Sequence, residues 1–148
     1  MVKTFWDSDT RASLLARLGT VTPEALPAWG KMDARKMLSH ITDAGKMALG
    51  EITTTPKNLP IRYWPLRELV IRVLPWPKGA PTAPELITRS ATDWEAELRE
   101  FHAVTDRLVA REKTGSFPEH PAFGKMSTKL WGQLIARHVD HHLTQFGA

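Results

Sequence analysis

The sequence contains no cysteine, and this absence narrows the chemistry open to the chain. It excludes disulfides, thiolate zinc sites and a cysteine nucleophile. A transition metal would therefore have to be held by histidine, aspartate or glutamate side chains. The chain has six histidines, and three of them fall in the stretch RHVDHH at 137–142. That stretch is the first candidate for a functional site.

Long apolar runs are also missing. The longest, YWPLRELVIRVLPWP, is interrupted by Arg67, Glu68 and Arg72 and is too short to span a bilayer. The start, MVKTFWDSDTRASLL, has no basic region followed by an apolar run, so no secretory signal is expected. The sequence predicts a soluble, cytoplasmic protein. A membrane-surface role, with Arg62, Arg67 and Arg72 as the basic component, is a weaker alternative.

Blocks of like charge are absent as well. The net charge is +4 and the pI is near 9.6, but the 20 Lys and Arg residues are scattered along the chain. This pattern argues against nucleic-acid binding, which usually clusters cations on one element. A length of 148 residues with 42% hydrophobic and 24% charged residues is typical of a globular protein. We expect a single domain over 1–148.

Apolar residues recur at helical spacing and no alternating strand pattern is found, so the sequence predicts an all-α bundle. Short side chains that can cap helices precede the apolar repeats, and glycine or proline follows several of them. Pro65 opens a further short helix, PLRELVIRVL, inside a proline-rich region at 56–84. The four main helices are predicted at about Asp7 to Gly19, Asp33 to Gly50, Thr92 to Glu112, and Ser127 to at least Gln145.

Three histidines are predicted to face the core. His138 and His142 are four residues apart, so they stand one turn apart on the same helical face as Trp131. His40 lies near the margin of the apolar face of the second helix. In a bundle it can meet the other two, and three imidazoles with an open fourth position describe a catalytic zinc site. The alternative is that the histidines are buried polar groups satisfied by neighbours, because an HxxxH pair also arises by chance.

Polar residues close to the histidines are candidates for supporting roles. Asp43 lies one turn beyond His40 and is a candidate base or a partner that orients an imidazole. Gln145 shares the histidine face and is a candidate for binding a metal-bound water or substrate, or it is a helix-end group bonded to backbone. Asp140 points away from the core, which favours a solvated charge over a partner for a metal ligand.

The remaining histidines and two tryptophans are given other interpretations. His102 flanks an apolar stripe and His120 lies in a loop beside a proline, so both are interpreted as incidental. Trp64 and Trp76, in the proline-rich region, are expected to cover the bundle or to form a subunit interface.

The ending RHVDHHLTQFG resembles the last helix of the DinB-like superfamily, whose signature is approximately HxxHHxxQ. The matching residues are His138, His141, His142 and Gln145. MLSHITDA is similar to the second helix of that superfamily, which supplies one histidine, here His40. HPAFGKMS is similar to the segment before its last helix. FWDSDTRASLLARL, WGKMDARKMLSH, LPWPKGAPTAPEL and HPAFGKMSTKLWG resemble the branch known only as a domain of unknown function.

The resemblance covers nearly the whole chain. It implies a four-helix bundle with a divalent metal, typically zinc or nickel, held by His40, His138 and His142, with His141 outside the ligand set. Relatives in the superfamily include transferases for low-molecular-weight thiols such as bacillithiol, and a mycothiol-dependent maleylpyruvate isomerase. Many members form dimers, so a homodimer is expected. The proline-rich region has no counterpart in the shorter bundles and is expected to reshape the site entrance.

Two functions follow from these residues, and a third remains open. The first is a metal-dependent enzyme, a thiol S-transferase or a hydrolase, in which the ion activates a thiol or water toward an electrophilic small molecule. The second is a non-catalytic bundle in which the metal, or hydrogen bonding among the histidines, holds the helices together. The third is a small-molecule binding or stress-response module without turnover.

Overall fold

The computed structural model describes residues 2–148, and within this range it is all-helical, as the sequence predicted. No strand forms among these residues; only an isolated bridge joins His120 to Gly124. Two short 3-10 helices, at Pro60–Arg62 and Pro84–Leu86, were not predicted. The five α-helices are α1 (Ser8–Leu18), α2 (Ala34–Ala48), α3 (Leu66–Arg72), α4 (Trp94–Glu112) and α5 (Thr128–Gln145).

The four long helices begin where a side-chain oxygen caps them. Each cap accepts a hydrogen bond from the backbone N–H three residues further on, which satisfies a donor that has no partner inside the helix. These caps explain why the predicted starts agree with the structure to within about a residue. The capping residues are Asp7, Asp33, Asp93 and Ser127.

Helix α2 packs against both α4 and α5. Gly45 permits the close approach of α4, because a Cβ atom at this position would lie 2.5 Å from Cγ1 of Val104. On the same helix Met37 and Ile41 are buried, and Leu143 of α5 is completely buried. Burial of these faces brings the inward side of α2 against the inward side of α5, where the histidines lie.

The side chain of Arg137 anchors the proline-rich segment to α5. Arg137 of α5 donates hydrogen bonds to the carbonyls of Val70, Ile71 and Leu74 at the end of α3. Its guanidinium also lies 4.9 Å from the ring centre of Trp76. These contacts hold α3 and the chain after it against α5, beside the histidines.

The two tryptophans of this segment differ in environment. Trp64 is 76% exposed, whereas Trp76 is partly buried and its ring centre lies 6.3 Å from that of His138. Trp76 therefore covers part of the bundle interior, which is one of the two roles predicted for these tryptophans. A place for Trp64 in a subunit interface stays a prediction. Across residues 2–148, no helix combines the length and apolar character needed to cross a bilayer.

Candidate metal centre

The structure brings His40, His138 and His142 together, as the sequence predicted. One ring nitrogen from each lies within 4.8 Å of the other two. Nε2 of His40 and Nε2 of His138 are only 3.0 Å apart. The helical spacing puts two rings on one face of α5, and the packing of α2 against that face supplies the third.

Hydrogen bonds on the outer side of the cluster fix two of the rings. Nδ1–H of His40 donates to the carbonyl of Leu86 at 2.8 Å, and Nδ1–H of His142 donates to Oε1 of Gln145 at 2.9 Å. Gln145 is itself held because its Nε2 donates to the carbonyl of Trp29 at 3.0 Å. With the proton on Nδ1, each of these rings presents the lone pair of Nε2 to the centre.

Burial keeps the three rings neutral. It lowers the pKa of His142 to about 3, and the neighbouring histidines add to this effect. Burial, with the charges of the surrounding histidines, lowers the pKa of His138 well below its ordinary value. Burial also lowers the pKa of His40, although the hydrogen bond to Leu86 and the charge of Asp43 oppose the shift. Neutral imidazole is the form that binds metal ions.

The donor set fits a divalent transition metal. Zinc binds histidine nitrogen at about 2.0–2.1 Å, which in a tetrahedral site places two ligand nitrogens roughly 3.4 Å apart. The 3.0 Å separation between His40 and His138 is close to this spacing. Closing the 4.8 Å spread of the three nitrogens requires side-chain shifts of about an ångström. Three imidazoles so placed can therefore hold a metal ion.

A cavity of about 450 Å³ adjoins the cluster. His40 and His138 line it, whereas His142 does not. Much of its wall comes from the proline-rich segment, including Trp76 and the stretch 80–86. A metal ion on the three nitrogens would thus border a space large enough for a small organic molecule.

The two carboxylates near the histidines make ion pairs elsewhere. Asp43 is buried, and both of its oxygens accept from Arg89, at 2.7 and 3.1 Å; it makes no hydrogen bond to any of the three rings. Asp43 and Glu97 raise the pKa of Arg89. Asp140 is exposed and pairs with Arg17 of α1 at 2.6 Å, in agreement with the expected solvated charge. A catalytic role for Asp43 stays a prediction, while its contacts give it a structural one.

Gln145 takes the backbone-bonded role that was considered for it and also binds His142, a contact that was not predicted. It is buried at the end of α5, with its amide nitrogen on a backbone carbonyl and its oxygen on His142. It therefore positions a ring of the cluster. A role in binding a metal-bound water or substrate stays a prediction. His141 lies outside the cluster, partly buried between Trp29 and Trp76, with 5.7 Å between its ring centre and each of theirs.

His120 is the residue that the sequence interpretation missed. It is not incidental: it lines the same cavity as His40 and His138, and its Nδ1 accepts hydrogen bonds from the backbone N–H groups of Ala122 and Phe123. Burial, assisted by the charge of Arg62, lowers its pKa to about 4. Helical periodicity gives no signal in a loop, so only the folded structure reveals this position.

Fold and site together define an α-helical protein with a buried three-histidine centre that can hold a metal ion. The family model described as "Protein of unknown function (DUF1569)" matches residues 72–148, and the chain belongs to this family. The matched span includes His138 and His142 but not His40. No curated protein and no solved structure matches the chain.

Replacing Gln145 by alanine should weaken metal binding by about tenfold to a hundredfold, because His142 loses the partner that fixes its proton and its orientation. Binding of Zn²⁺ measured by calorimetry tests this. Gln133→Ala is the matched control, since Gln133 is also a buried glutamine of α5 but bonds Arg72 and not a histidine. Equal losses in the two variants would contradict a positioning role for Gln145.

Acid should destabilise the fold in part through His120. Its folded pKa of about 4 lies below the unfolded value near 6.5, so the unfolded chain binds the proton first as the pH falls. The resulting loss of stability accumulates from about pH 6.5 down to pH 4 and reaches at most roughly 3 kcal/mol.

The test is denaturant unfolding of the wild type and of His120→Asn at several pH values with a chelator present. Asparagine can keep an acceptor for the N–H groups of Ala122 and Phe123 but does not titrate. The free energy of unfolding of the variant should fall less steeply between pH 6.5 and 4. Identical pH slopes would show that His120 protonates equally well in the folded state.

Proposed function

We propose that this protein is a divalent-metal-dependent enzyme of the DinB-like type that transfers a low-molecular-weight thiol to an electrophilic small molecule. His40, His138 and His142 would hold the ion, with zinc or nickel as the metal. The proposal rests on one observation above all: three neutral imidazoles converge, and two of them, His40 and His138, line a 450 Å³ cavity. A site with only three protein ligands leaves coordination positions for a reactant.

The chemistry assigned to the metal suits a chain without cysteine. A divalent ion at this site would lower the pKa of a bound thiol and make it a nucleophile at neutral pH. The protein itself then needs no nucleophile. Its residues orient the rings, through Leu86 and Gln145, and limit access of water by the apolar side chains that surround His40 and His138.

The arrangement of helices supports the same assignment. Helices α1, α2, α4 and α5 would be the four members of a DinB-like bundle, with the ligands on α2 and α5. Helix α3 would belong to an insertion between the second and third members. Metal sites in helical bundles are built in this way from side chains on facing helices. The DUF1569 family to which the chain belongs has no assigned reaction, so the thiol chemistry is inferred from the site and the resemblance.

Calorimetric titration should show about one divalent ion bound per chain, and the His138→Ala, His142→Ala double variant should lose that binding. His102→Ala is the control, because His102 is an exposed histidine of α4 outside the cluster. Metal-loaded wild type should also consume a thiol from a small panel in the presence of an activated aryl halide. The double variant should consume it only at the background rate. Full-strength metal binding by the double variant would rule the site out.

A structural role for the cluster is the second candidate, and the 3.0 Å approach of His40 Nε2 to His138 Nε2 favours it. In this alternative His138 donates its proton to His40, and hydrogen bonding or a fully coordinated metal holds α2 against α5. The two functions differ in what they require of the coordination sphere and of the metal-free fold.

Removing the ion with a chelator distinguishes the enzymatic role of the metal from the structural one. The enzymatic function predicts that the metal-free chain keeps its helical circular dichroism at 25 °C, and that the loaded chain carries an exchangeable water ligand. Loss of the helical signal on chelation, together with a closed coordination sphere, would instead assign the metal a structural role.

A further inference from the structure

The cavity beside the histidines has a mostly apolar wall with few polar groups, and this composition limits the molecules that can bind there. Most of the lining is apolar, with Ile41, Phe101 and Leu134 as examples, and its volume of about 450 Å³ lies in the range of small-molecule sites. Polar groups are few. The polar side chains outside the metal centre are those of Thr55, Lys57, Thr82, Glu85 and His120, together with the indole N–H groups of Trp76 and Trp131.

His120 is held rigidly in this wall. Its backbone N–H donates to the carbonyl of Gly124 at 2.9 Å, and the N–H of Gly124 donates back at 2.8 Å. Its Nδ1 accepts from two backbone N–H groups, at 3.0 and 3.1 Å, so the proton of the neutral ring resides on Nε2. That Nε2–H meets no acceptor among residues 2–148. A donor with a fixed tautomer and a fixed ring is thus left available at the cavity.

A second donor without a partner lies beside it. Trp131 also lines the cavity and is 1% exposed, yet its Nε1–H has no acceptor in the described part of the chain. The ring centres of His120 and Trp131 are 5.5 Å apart. Buried donors in native proteins are almost always paired, because leaving one unpaired costs about 1–3 kcal/mol. Nε1–H of Trp131 is a buried donor of this kind, and Nε2–H of His120 beside it is a free donor at the cavity. The pair therefore points to a ligand that brings an acceptor.

Charge in the wall argues for a neutral acceptor. One oxygen of Glu85 is bound by Thr55, while the other is buried and unpartnered within residues 2–148. Its own backbone N–H and the hydrogen bonds from Thr55 lower the pKa of Glu85, so this wall residue is anionic. Lys57 is exposed and lies in the hydrated part of the lining. Burying a second carboxylate here without a paired cation would be costly.

We propose that the cavity binds a neutral, largely apolar molecule through a carbonyl oxygen that accepts a hydrogen bond from Nε2–H of His120, with Nε1–H of Trp131 as the neighbouring donor. Such a molecule would be the electrophile of the proposed function, and this part of the inference rests on that function. Binding itself does not require the metal.

A matched pair of probes tests the inference on the metal-free protein. Benzophenone and diphenylmethane share a carbon skeleton, but only the first has a carbonyl. Calorimetry in the presence of chelator should show benzophenone binding about threefold to tenfold more tightly, the value of one neutral hydrogen bond. The infrared carbonyl stretch of bound benzophenone should move to lower frequency than in an apolar solvent.

Two variants of His120 test whether the Nε2–H donor, and not the rest of the imidazole ring, binds the carbonyl. His120→Asn keeps an acceptor near Nδ1 and removes the donor, so the preference for benzophenone and the infrared shift should disappear while diphenylmethane binds as before. His120→Gln restores an N–H near the position of Nε2, so the preference for benzophenone and the infrared shift should both return. Unfolding curves of each variant verify that it is folded at the temperature of measurement, and the infrared result on the wild type does not depend on either variant.

Failure of benzophenone to bind the wild type would overturn the inference. So would equal affinities for the two probes, or a preference and carbonyl shift that survive in His120→Asn. None of these results depends on an ion, because the chelator is present throughout. A chain that binds benzophenone as described but no metal would refute the proposed function alone, and a chain that binds metal but neither probe would refute only the carbonyl site.

Discussion

Two hydrogen bonds made behind the histidine cluster determine what the cluster can do. The carbonyl of Leu86 and the amide oxygen of Gln145 each accept from an Nδ1–H, which turns the opposite nitrogens of His40 and His142 toward each other as lone pairs. Burial then keeps the rings uncharged. Lone pairs gathered in a buried place repel one another unless a proton or a cation lies between them. The packing of the helices therefore produces a site that favours binding of a proton or a cation.

The proline-rich segment supplies part of this arrangement, although it carries none of the three rings. Prolines at 75, 77, 81 and 84 prevent a long helix, so the chain runs along one side of the cavity as short turns and extended pieces. Arg137 holds the start of this path by binding the last carbonyls of α3. At its end Leu86, buried, turns its carbonyl to His40. The segment that walls the cavity thus also fixes a ring of the candidate metal centre.

Helical periodicity explains how much could be predicted from the sequence. Capping residues such as Asp33 and Ser127 marked the helix starts, and the four-residue spacing put His138 and His142 on one face. Partners from irregular segments, such as the carbonyl of Leu86 that binds His40, could not be predicted, because such segments have no period. Asp43 stands one turn from His40 but is bound by Arg89, which lies 46 residues away in sequence. His120 is held at the cavity by a turn that Gly124, at a φ of +68°, closes through two backbone hydrogen bonds.

Under the proposed function, the histidine cluster and the cavity would bind different reactants. The interior of a protein screens charge weakly, so an ion on the histidines would dominate the field across the cavity. His120 and Trp131 are neutral donors and add no competing cation there. A nucleophile drawn to the ion and a carbonyl held by an N–H donor would then occupy different parts of one space. A chain without cysteine needs no nucleophile of its own in this arrangement, because the bound thiol would be the attacking group. Holding that thiol close to the electrophile in the right orientation would lower the barrier.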